Sequence, residues 1–254
     1  MLIKITECCS NGCKHCMNNN IKCEKHMSID TFVDTLKFCK KYDDNIFGNM
    51  ICGGEPSEHP DFEKFIDVYY QMYNPNFCLL SVLTNGHWIL EDYDLFERLT
   101  NKYRMLMFQV TYDERYYPKK LDITDKRLQN ERIELVTEVR NIYRQGRAIT
   151  NNLPMGEACK GPKCANIRLM LKQRPNFNLS KLLFEMRYGI NRHCTPAIHY
   201  NGGIGLGESD LCPTPCNIYS SEEDILNSIL NCKCTNCKEA WDLLPNTCKS
   251  LMLD

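Results

Sequence analysis

Apolar positions along the first 150 residues alternate between strand-like runs and helical spacing. Helical periodicity follows Ser28, which is a good N-cap residue, and recurs over Asp61–Tyr73 and Asp92–Leu99. Short strands that alternate with helices are typical of βα units around a mainly parallel sheet. The predicted strands are Leu2–Thr6, Asn45–Cys52, Phe77–Leu83 and Leu106–Thr111.

The pattern changes towards the second half of the chain. An amphipathic stretch over Asn130–Arg144 predicts a further helix, and Arg147–Asn151 predicts a fifth strand. Beyond residue 150 the alternation fades, and Tyr200-Asn-Gly-Gly predicts a β-hairpin in a tail that we expect to pack on the sheet. We therefore expect a core over residues 1–150, a connecting segment over 151–190 and a cysteine-rich region over 191–254.

Composition excludes several classes of function. The chain has 254 residues, 43% hydrophobic residues and a net charge of -1, so no overall field recruits nucleic acid or an anionic membrane. No apolar run approaches the roughly 20 residues that a transmembrane helix needs, and no export signal is apparent, so we expect a cytoplasmic protein. The 17 cysteines lie in tight clusters, which favours metal binding over disulfides.

Three cysteines directly follow the first predicted strand. Cys9, Cys13 and Cys16 have the spacing C-x3-C-x2-C, which suits three irons of a [4Fe–4S] cluster. The fourth iron would then lack a local protein ligand and be open to chemistry. The alternative is a zinc site that takes His15 or Cys23 as its further ligand.

Two further polar loops follow the next strands. Gly53-Gly54-Glu55-Pro56 follows the second strand, and Thr84-Asn85-Gly86 follows the third. Ligands of parallel α/β folds bind beyond the carboxyl ends of the strands, where all these loops are expected to meet. Taken alone, Gly-Gly-Glu-Pro is also typical of a tight turn with a solvated carboxylate.

These motifs together resemble the radical S-adenosylmethionine (SAM) superfamily over residues 1–150. The resemblance implies an α/β fold, a partial (β/α)6 barrel with a small cysteine-rich appendage made of a β-hairpin and a helix. It also implies that the three cysteines bind the cluster and that SAM chelates the fourth iron. The resemblance places the amino group of SAM against Gly53, Gly54 and Glu55, with Thr84 and Asn85 nearby. It places the ribose of SAM against Gln109, Thr111 and Asp113. For Asp113 the alternative is a helix cap.

The same resemblance implies an activity. Reductive cleavage of SAM would yield a 5′-deoxyadenosyl radical that abstracts hydrogen from a substrate, with the electron supplied by a donor such as flavodoxin or ferredoxin. Arg147 stands where the fifth predicted strand reaches the site, and similar family members carry an arginine there. It is the candidate catalytic residue, with an ordinary surface arginine as the alternative.

The tail resembles the "twitch" or SPASM appendages of some radical SAM enzymes. That resemblance assigns Cys194, Cys212, Cys234 and Cys237 to a second, auxiliary [4Fe–4S] cluster. Cys216 and Cys232 are rival ligands, and a structural zinc site is the alternative. Cys159 and Cys164, with C-x4-C spacing, are interpreted as loop thiols, with a redox pair or a ligand pair on the substrate side as the alternatives.

The resemblance leaves three functions open. Appendages of this type occur mostly in enzymes that modify peptides, so a maturase acting on a peptide or protein residue is the first expectation. The chain length and the 18-residue step from Cys194 to Cys212 also resemble radical SAM dehydrogenases of small alcohols or amino-sugars. A non-catalytic iron–sulfur or zinc binding module is the third, and it would leave Glu55 without a function.

Overall fold

The computed structural model describes residues 1–18, 24–42, 48–139, 142, 146–154, 178–188, 196–207 and 212–232. In chain order the strands are β1 (Leu2–Thr6), β2 (Asn49–Gly53), β3 (Leu80–Thr84), β4 (Leu106–Thr111), β5 (Ile133–Val136), β6 (Ala197–Ile198), β7 (Gly203–Gly205) and β8 (Cys216–Asn217). The helices are α1 (Ile29–Tyr42), α2 (Phe62–Met72), α3 (His87–Glu91), α4 (Tyr93–Lys102), α5 (Arg147–Thr150), α6 (Leu179–Tyr188) and α7 (Glu222–Asn231), with 3-10 turns at Pro56–Glu58 and Lys126–Gln129.

One sheet runs through the described part of the chain in the order β5-β4-β3-β2-β1-β6-β7-β8. Every neighbouring pair from β5 to β6 is parallel, whereas β6, β7 and β8 pair antiparallel. The predicted α/β class with a parallel core is therefore confirmed. The predicted hairpin is also present, as β6 and β7.

The register aligns one buried apolar face across the parallel strands. Ile3 pairs with Ile51, Ile51 with Val82, and Val82 with Phe108, and these four residues are all fully buried. Apolar residues of α1, α2 and α4 join the same hydrophobic core. Because the strands are parallel, their carboxyl ends and the loops that follow them lie at one edge of the sheet.

The predicted strand at Arg147–Asn151 is wrong, and so is the predicted helix for residues 130–139, the part of the Asn130–Arg144 stretch that the structure describes continuously. The fifth strand is β5, in which Ile133 and Leu135 pack against the core while Glu134 is exposed. A period of two over only four residues is too short to be recognised in a longer amphipathic stretch, so the stretch was predicted as a helix. The Arg147 segment instead forms one helical turn after Gly146, whose φ is +53°.

The tail extends the sheet on the other side of β1. Ala197 lies opposite Leu2 and Ile198 opposite Ile3, which places the hairpin beside β1. The prediction that the tail packs on the sheet is confirmed for this hairpin. None of the described helices has both the length and the apolar character needed to cross a bilayer.

Candidate active site

The polar loops found in the sequence lie at the carboxyl edge of the parallel strands. The cysteine loop follows β1, Gly54 and Glu55 follow β2, and Asn85 follows β3. Backbone hydrogen bonds from Gly54 N to Thr6 O, at 2.8 Å, and from Glu55 N to Cys8 O, at 2.6 Å, join the first two loops. This edge therefore contains one continuous, hydrogen-bonded set of loops.

The three cysteines of the first loop carry free thiols that act on one another electrostatically. Burial, with neighbouring negative groups, raises the pKa of Cys9 to about 11 and that of Cys13 to about 12. Asn11 donates through Nδ2 to Cys13 Sγ at 3.4 Å, and the Asn18 amide donates to Cys16 Sγ at 3.4 Å.

The chemistry of this donor set fits an iron–sulfur cluster. Partly buried thiolates that repel one another need nearby cations, and hydrogen bonds to sulfur are a recognised means of tuning a cluster's potential. Cys9, Cys13 and Cys16 would each hold a different iron. In the described part of the chain no three Cys, His, Asp or Glu side chains are grouped so that they could hold a single metal ion.

The two glycines after β2 bring two segments of backbone close together. A Cβ at Gly54 would lie 2.0 Å from Cys8 O, and one at Gly53 would lie 2.1 Å from Thr6 O. Glycines in such a loop can let a ligand approach the backbone closely. In the structure, the atoms that require glycine at both positions belong to the Thr6–Cys8 segment.

The Glu55 carboxylate is buried and bound by neighbouring loops. Its Oε1 accepts from Ser57 N and Oγ at 3.3 and 2.9 Å and from Thr84 Oγ1 at 2.7 Å, while Oε2 accepts from Asn85 N at 2.8 Å. Burial raises the pKa of Glu55, and these hydrogen bonds oppose that rise. With 3% of the residue exposed, the alternative of a solvated turn carboxylate is wrong.

The carboxyl end of β4 contributes a buried acid. Asp113 accepts from Arg115 Nε at 2.8 Å and from Val139 N at 2.9 Å, and the Arg115 guanidinium lowers the pKa of Asp113 to about 2. The helix-cap alternative is wrong, since a turn follows Asp113. Gln109 Nε2 donates to the exposed Glu134 at 3.0 Å. Thr111 closes β4 opposite Val136.

Arg147 lies against the cysteine loop. Its backbone N–H donates to Cys16 O at 3.0 Å, and its side-chain Nε donates to Cys13 O at 2.9 Å. The neighbouring Gly146 is packed so closely that a Cβ there would lie 2.4 Å from Met17 O. The residue chosen from the sequence therefore reaches this edge, but from a helical turn and towards the loop backbone.

Several contacts of the site carried no signal in the sequence. Glu58 Oε1 accepts from Ser10 N at 2.7 Å, and the His15 ring lies tilted at centroid distances of 5.3 and 5.4 Å from the rings of Tyr116 and Tyr117. Burial lowers the pKa of His15 to about 4. These contacts join positions about 50 and 100 residues apart, so no local spacing pattern marks them.

Only part of the predicted auxiliary set lies in the described residues. Cys194, Cys234 and Cys237, together with Cys159 and Cys164, lie outside them, whereas Cys212 is half-buried. The rivals Cys216 and Cys232 lie near each other. Burial, followed by the charge of Cys232, raises the pKa of Cys216 to about 12.

Comparison with solved structures shows the same fold in other proteins. The crystal structure of BtrN in complex with AdoMet and 2-DOIA is similar with a TM-score of 0.56 and 13% identity, over 99% of this chain and 89% of BtrN. The crystal structure of Streptococcus suis SuiB bound to precursor peptide SuiA is similar with a TM-score of 0.57 and 15% identity, over 89% of this chain and 63% of SuiB. The structure of SuiB bound to S-adenosylmethionine has a TM-score of 0.52 and 14% identity, over 89% of this chain and 62% of SuiB.

These likenesses confirm the partial-barrel fold class. No curated protein matches the chain in sequence. The model of the Radical SAM superfamily matches residues 3–157, which is more than half of the chain and includes the three cysteines and the glycine-rich loop. The protein therefore belongs to the radical SAM superfamily, a family of enzymes that use a [4Fe–4S] cluster and SAM.

Proposed function

We propose that Cys9, Cys13 and Cys16 hold the catalytic [4Fe–4S] cluster and that the fourth iron takes SAM. The observation that carries this proposal is the hydrogen-bonded joining of the cysteine loop to the Gly54–Glu55 loop. That contact sets the three thiols and a buried carboxylate at one edge of the sheet. When bound, the cluster and SAM supply the radical chemistry, while the chain positions them and excludes water.

Glu55 is suited to orient the amino group of SAM. Its Oε1 accepts three hydrogen bonds from Ser57 and Thr84. Its Oε2 accepts from Asn85 N, which leaves one lone pair for an ammonium group. In this proposal Gly53 and Gly54 bring the carboxylate to the cysteine loop, and Thr84 and Asn85 fix its orientation.

We assign the ribose side of the site to the end of β4. Gln109 and Thr111 lie on the same strand and both are partly exposed. Asp113 is already bound by Arg115 and Val139, so it supports the loop that follows rather than offering a free carboxylate. Substitution of Gln109 by Ala should therefore weaken SAM binding, measured by equilibrium dialysis, more than it changes stability.

We further propose that Cys194, Cys212, Cys234 and Cys237 hold an auxiliary cluster of the twitch or SPASM type. The pairing of β6 with β1 supports this, because it sets the tail hairpin beside the strand that leads into the cysteine loop. Anaerobic reconstitution should give about eight irons per chain. A content of about four irons with one zinc would contradict the auxiliary cluster and leave the first cluster in place.

For the substrate we propose a residue of a peptide or protein, with the electron supplied by flavodoxin or ferredoxin. A small alcohol or amino-sugar is the second candidate. It is favoured by the match to the BtrN complex with 2-DOIA, which covers 89% of that chain against 63% of SuiB. We divide the chain functionally into the barrel core over 1–150, a connecting segment over 151–190 and the auxiliary region over 191–254.

The test is incubation of the reconstituted enzyme with SAM, dithionite and each candidate substrate. Formation of 5′-deoxyadenosine above the substrate-free level should accompany a mass change in a peptide encoded beside the gene. Stimulation by amino-sugars alone would replace the peptide with the second candidate. Absence of 5′-deoxyadenosine under every condition would contradict the proposed reaction.

A further inference from the structure

We propose that Arg147 is a positioning residue that holds the cysteine loop in shape and raises the reduction potential of the cluster bound there. This inference rests on the proposed function, since it concerns the cluster on Cys9, Cys13 and Cys16. It differs from the sequence-based expectation of a catalytic arginine at the end of a strand. It follows from the contacts of the helical turn α5 with the loop.

The first line of evidence is a set of contacts between α5 and the loop. Arg147 binds the carbonyls of two of the three cysteines, through N to Cys16 O at 3.0 Å and through Nε to Cys13 O at 2.9 Å. Asn151 adds a longer hydrogen bond from Nδ2 to Lys14 O at 3.4 Å. These contacts fix the backbone between the second and third thiols.

Gly146 shows how closely the turn fits. Its φ of +53° starts α5, and a Cβ there would lie within 2.5 Å of both Met17 O and Met17 C. The fit therefore needs glycine at position 146 for its conformation and for its size. A segment packed this closely has little freedom to move away from the loop.

The second line of evidence is the charge of the guanidinium. In the described part of the chain no carboxylate forms an ion pair with Arg147, and its Nη1 is buried without a hydrogen-bond partner. Arg115 differs in this respect, because its guanidinium forms an ion pair with Asp113. The charge of Arg147 lies instead at the cysteine loop, because its Nε is 2.9 Å from Cys13 O.

A positive charge near a cluster stabilises the reduced form more than the oxidised form, because the reduced form carries one more electron. Arg147 should therefore raise the reduction potential and ease delivery of the electron. Its hydrogen bonds act on carbonyl groups and should govern how firmly the loop retains the cluster. The charge and the hydrogen bonds can thus be separated by substitution.

The experiment compares Arg147→Gln, which removes the charge, with Arg147→Lys, which keeps it but loses the planar fork. Arg98→Gln is the matched control, since Arg98 pairs with Glu63 at the exposed face of α4. Three quantities are measured on the full chain: the cluster midpoint potential by EPR-monitored titration, the rate of iron loss to a chelator, and amide hydrogen exchange of residues 13–18 in the unloaded protein.

We expect Arg147→Gln to shift the midpoint potential to more negative values, and Arg147→Lys to stay close to wild type. Both variants should lose iron about fivefold faster, as expected for one lost hydrogen bond, and show faster exchange in the loop. Arg98→Gln should match the wild type in all three measurements. If Arg147→Gln takes up no cluster, the exchange of residues 13–18 in both unloaded variants decides.

Wild-type potential, iron retention and loop exchange in both variants would overturn the inference. Wild-type exchange in both unloaded variants would do so even where no cluster can be loaded. A wild-type protein that takes up no [4Fe–4S] cluster would instead contradict the proposed function, so the two failures are distinguishable.

Discussion

At the scale of single residues, Glu55 shows how the site is held together. Three neighbouring residues donate four hydrogen bonds to its buried carboxylate, and two of these residues, Thr84 and Asn85, lie at the end of β3 and directly after it. Thr84 is central because its hydroxyl also accepts from Gly86 N and Trp88 Nε1, both at 3.1 Å. One hydroxyl therefore links the loop after β2 to the start of α3.

Removal of that hydroxyl should be costly. Thr84→Val keeps the volume but leaves Glu55 with one donor fewer and Trp88 Nε1 without its acceptor. We expect a loss of about 2–3 kcal/mol in the free energy of unfolding, measured by urea denaturation of the unloaded protein. Thr100→Val is the control, since that hydroxyl binds only carbonyls within α4, and it should cost less than about 0.5 kcal/mol. Equal losses would contradict the role given to Thr84.

Asp113 should make stability depend on pH in the acid range. Its folded pKa of about 2 lies below the ordinary value of 3.8, so its contribution is complete above pH 4 and disappears as the pH falls through 2. Asp113→Asn should cost about 1 kcal/mol at pH 7, since Arg115 is half exposed, and almost nothing at pH 2. Urea denaturation across this range measures the difference. A gap that stays constant with pH would exclude this explanation.

At the scale of elements, the close packing of the glycine-rich loop on β1 should dominate the effect of substitutions. Gly54→Ala places a Cβ 2.0 Å from Cys8 O and should cost about 3 kcal/mol or more. Gly12→Ala, at φ +67° in open space, should cost only about 1 kcal/mol of backbone strain. Unfolding of the two unloaded variants in urea tests this order. The reverse order would show that the loops do not need this contact.

The sequence predicted the elements whose signals are local. β1, α2 and the cysteine loop were found because strand runs, helical spacing and ligand spacing each lie within about a dozen residues. β5 was missed because its four residues are too few to show a period of two. The burial of Glu55 and its hydrogen bonds were also missed, since they depend on Thr84 and Asn85 at the end of another strand.

At the scale of the whole molecule, the tail and the barrel share one sheet through β6 and β1. Ile198 is fully buried opposite Ile3, which is also fully buried. This pairing could not be predicted from the sequence, because the two strands are almost 200 residues apart and β6 has only two residues. The tail should therefore contribute to the stability of the barrel.

Ile198→Ala should lower the free energy of unfolding by about 2–4 kcal/mol and reduce the hydrogen-exchange protection of β1 amides. The control is Ile149→Ala on α5, where the residue is 53% exposed and the expected change is within about 0.5 kcal/mol. Unchanged protection in β1, with exchange raised in the hairpin alone, would show that the tail folds independently.

The central claim is that three cysteines leave one iron open for SAM. EPR of the dithionite-reduced enzyme, with Cys194, Cys212, Cys234 and Cys237 replaced by Ala to isolate the first cluster, tests it most directly. We expect a [4Fe–4S]+ signal that changes when SAM is added and that is lost when Cys9, Cys13 and Cys16 are also replaced. A cluster signal that SAM leaves unchanged would contradict an open iron that binds SAM.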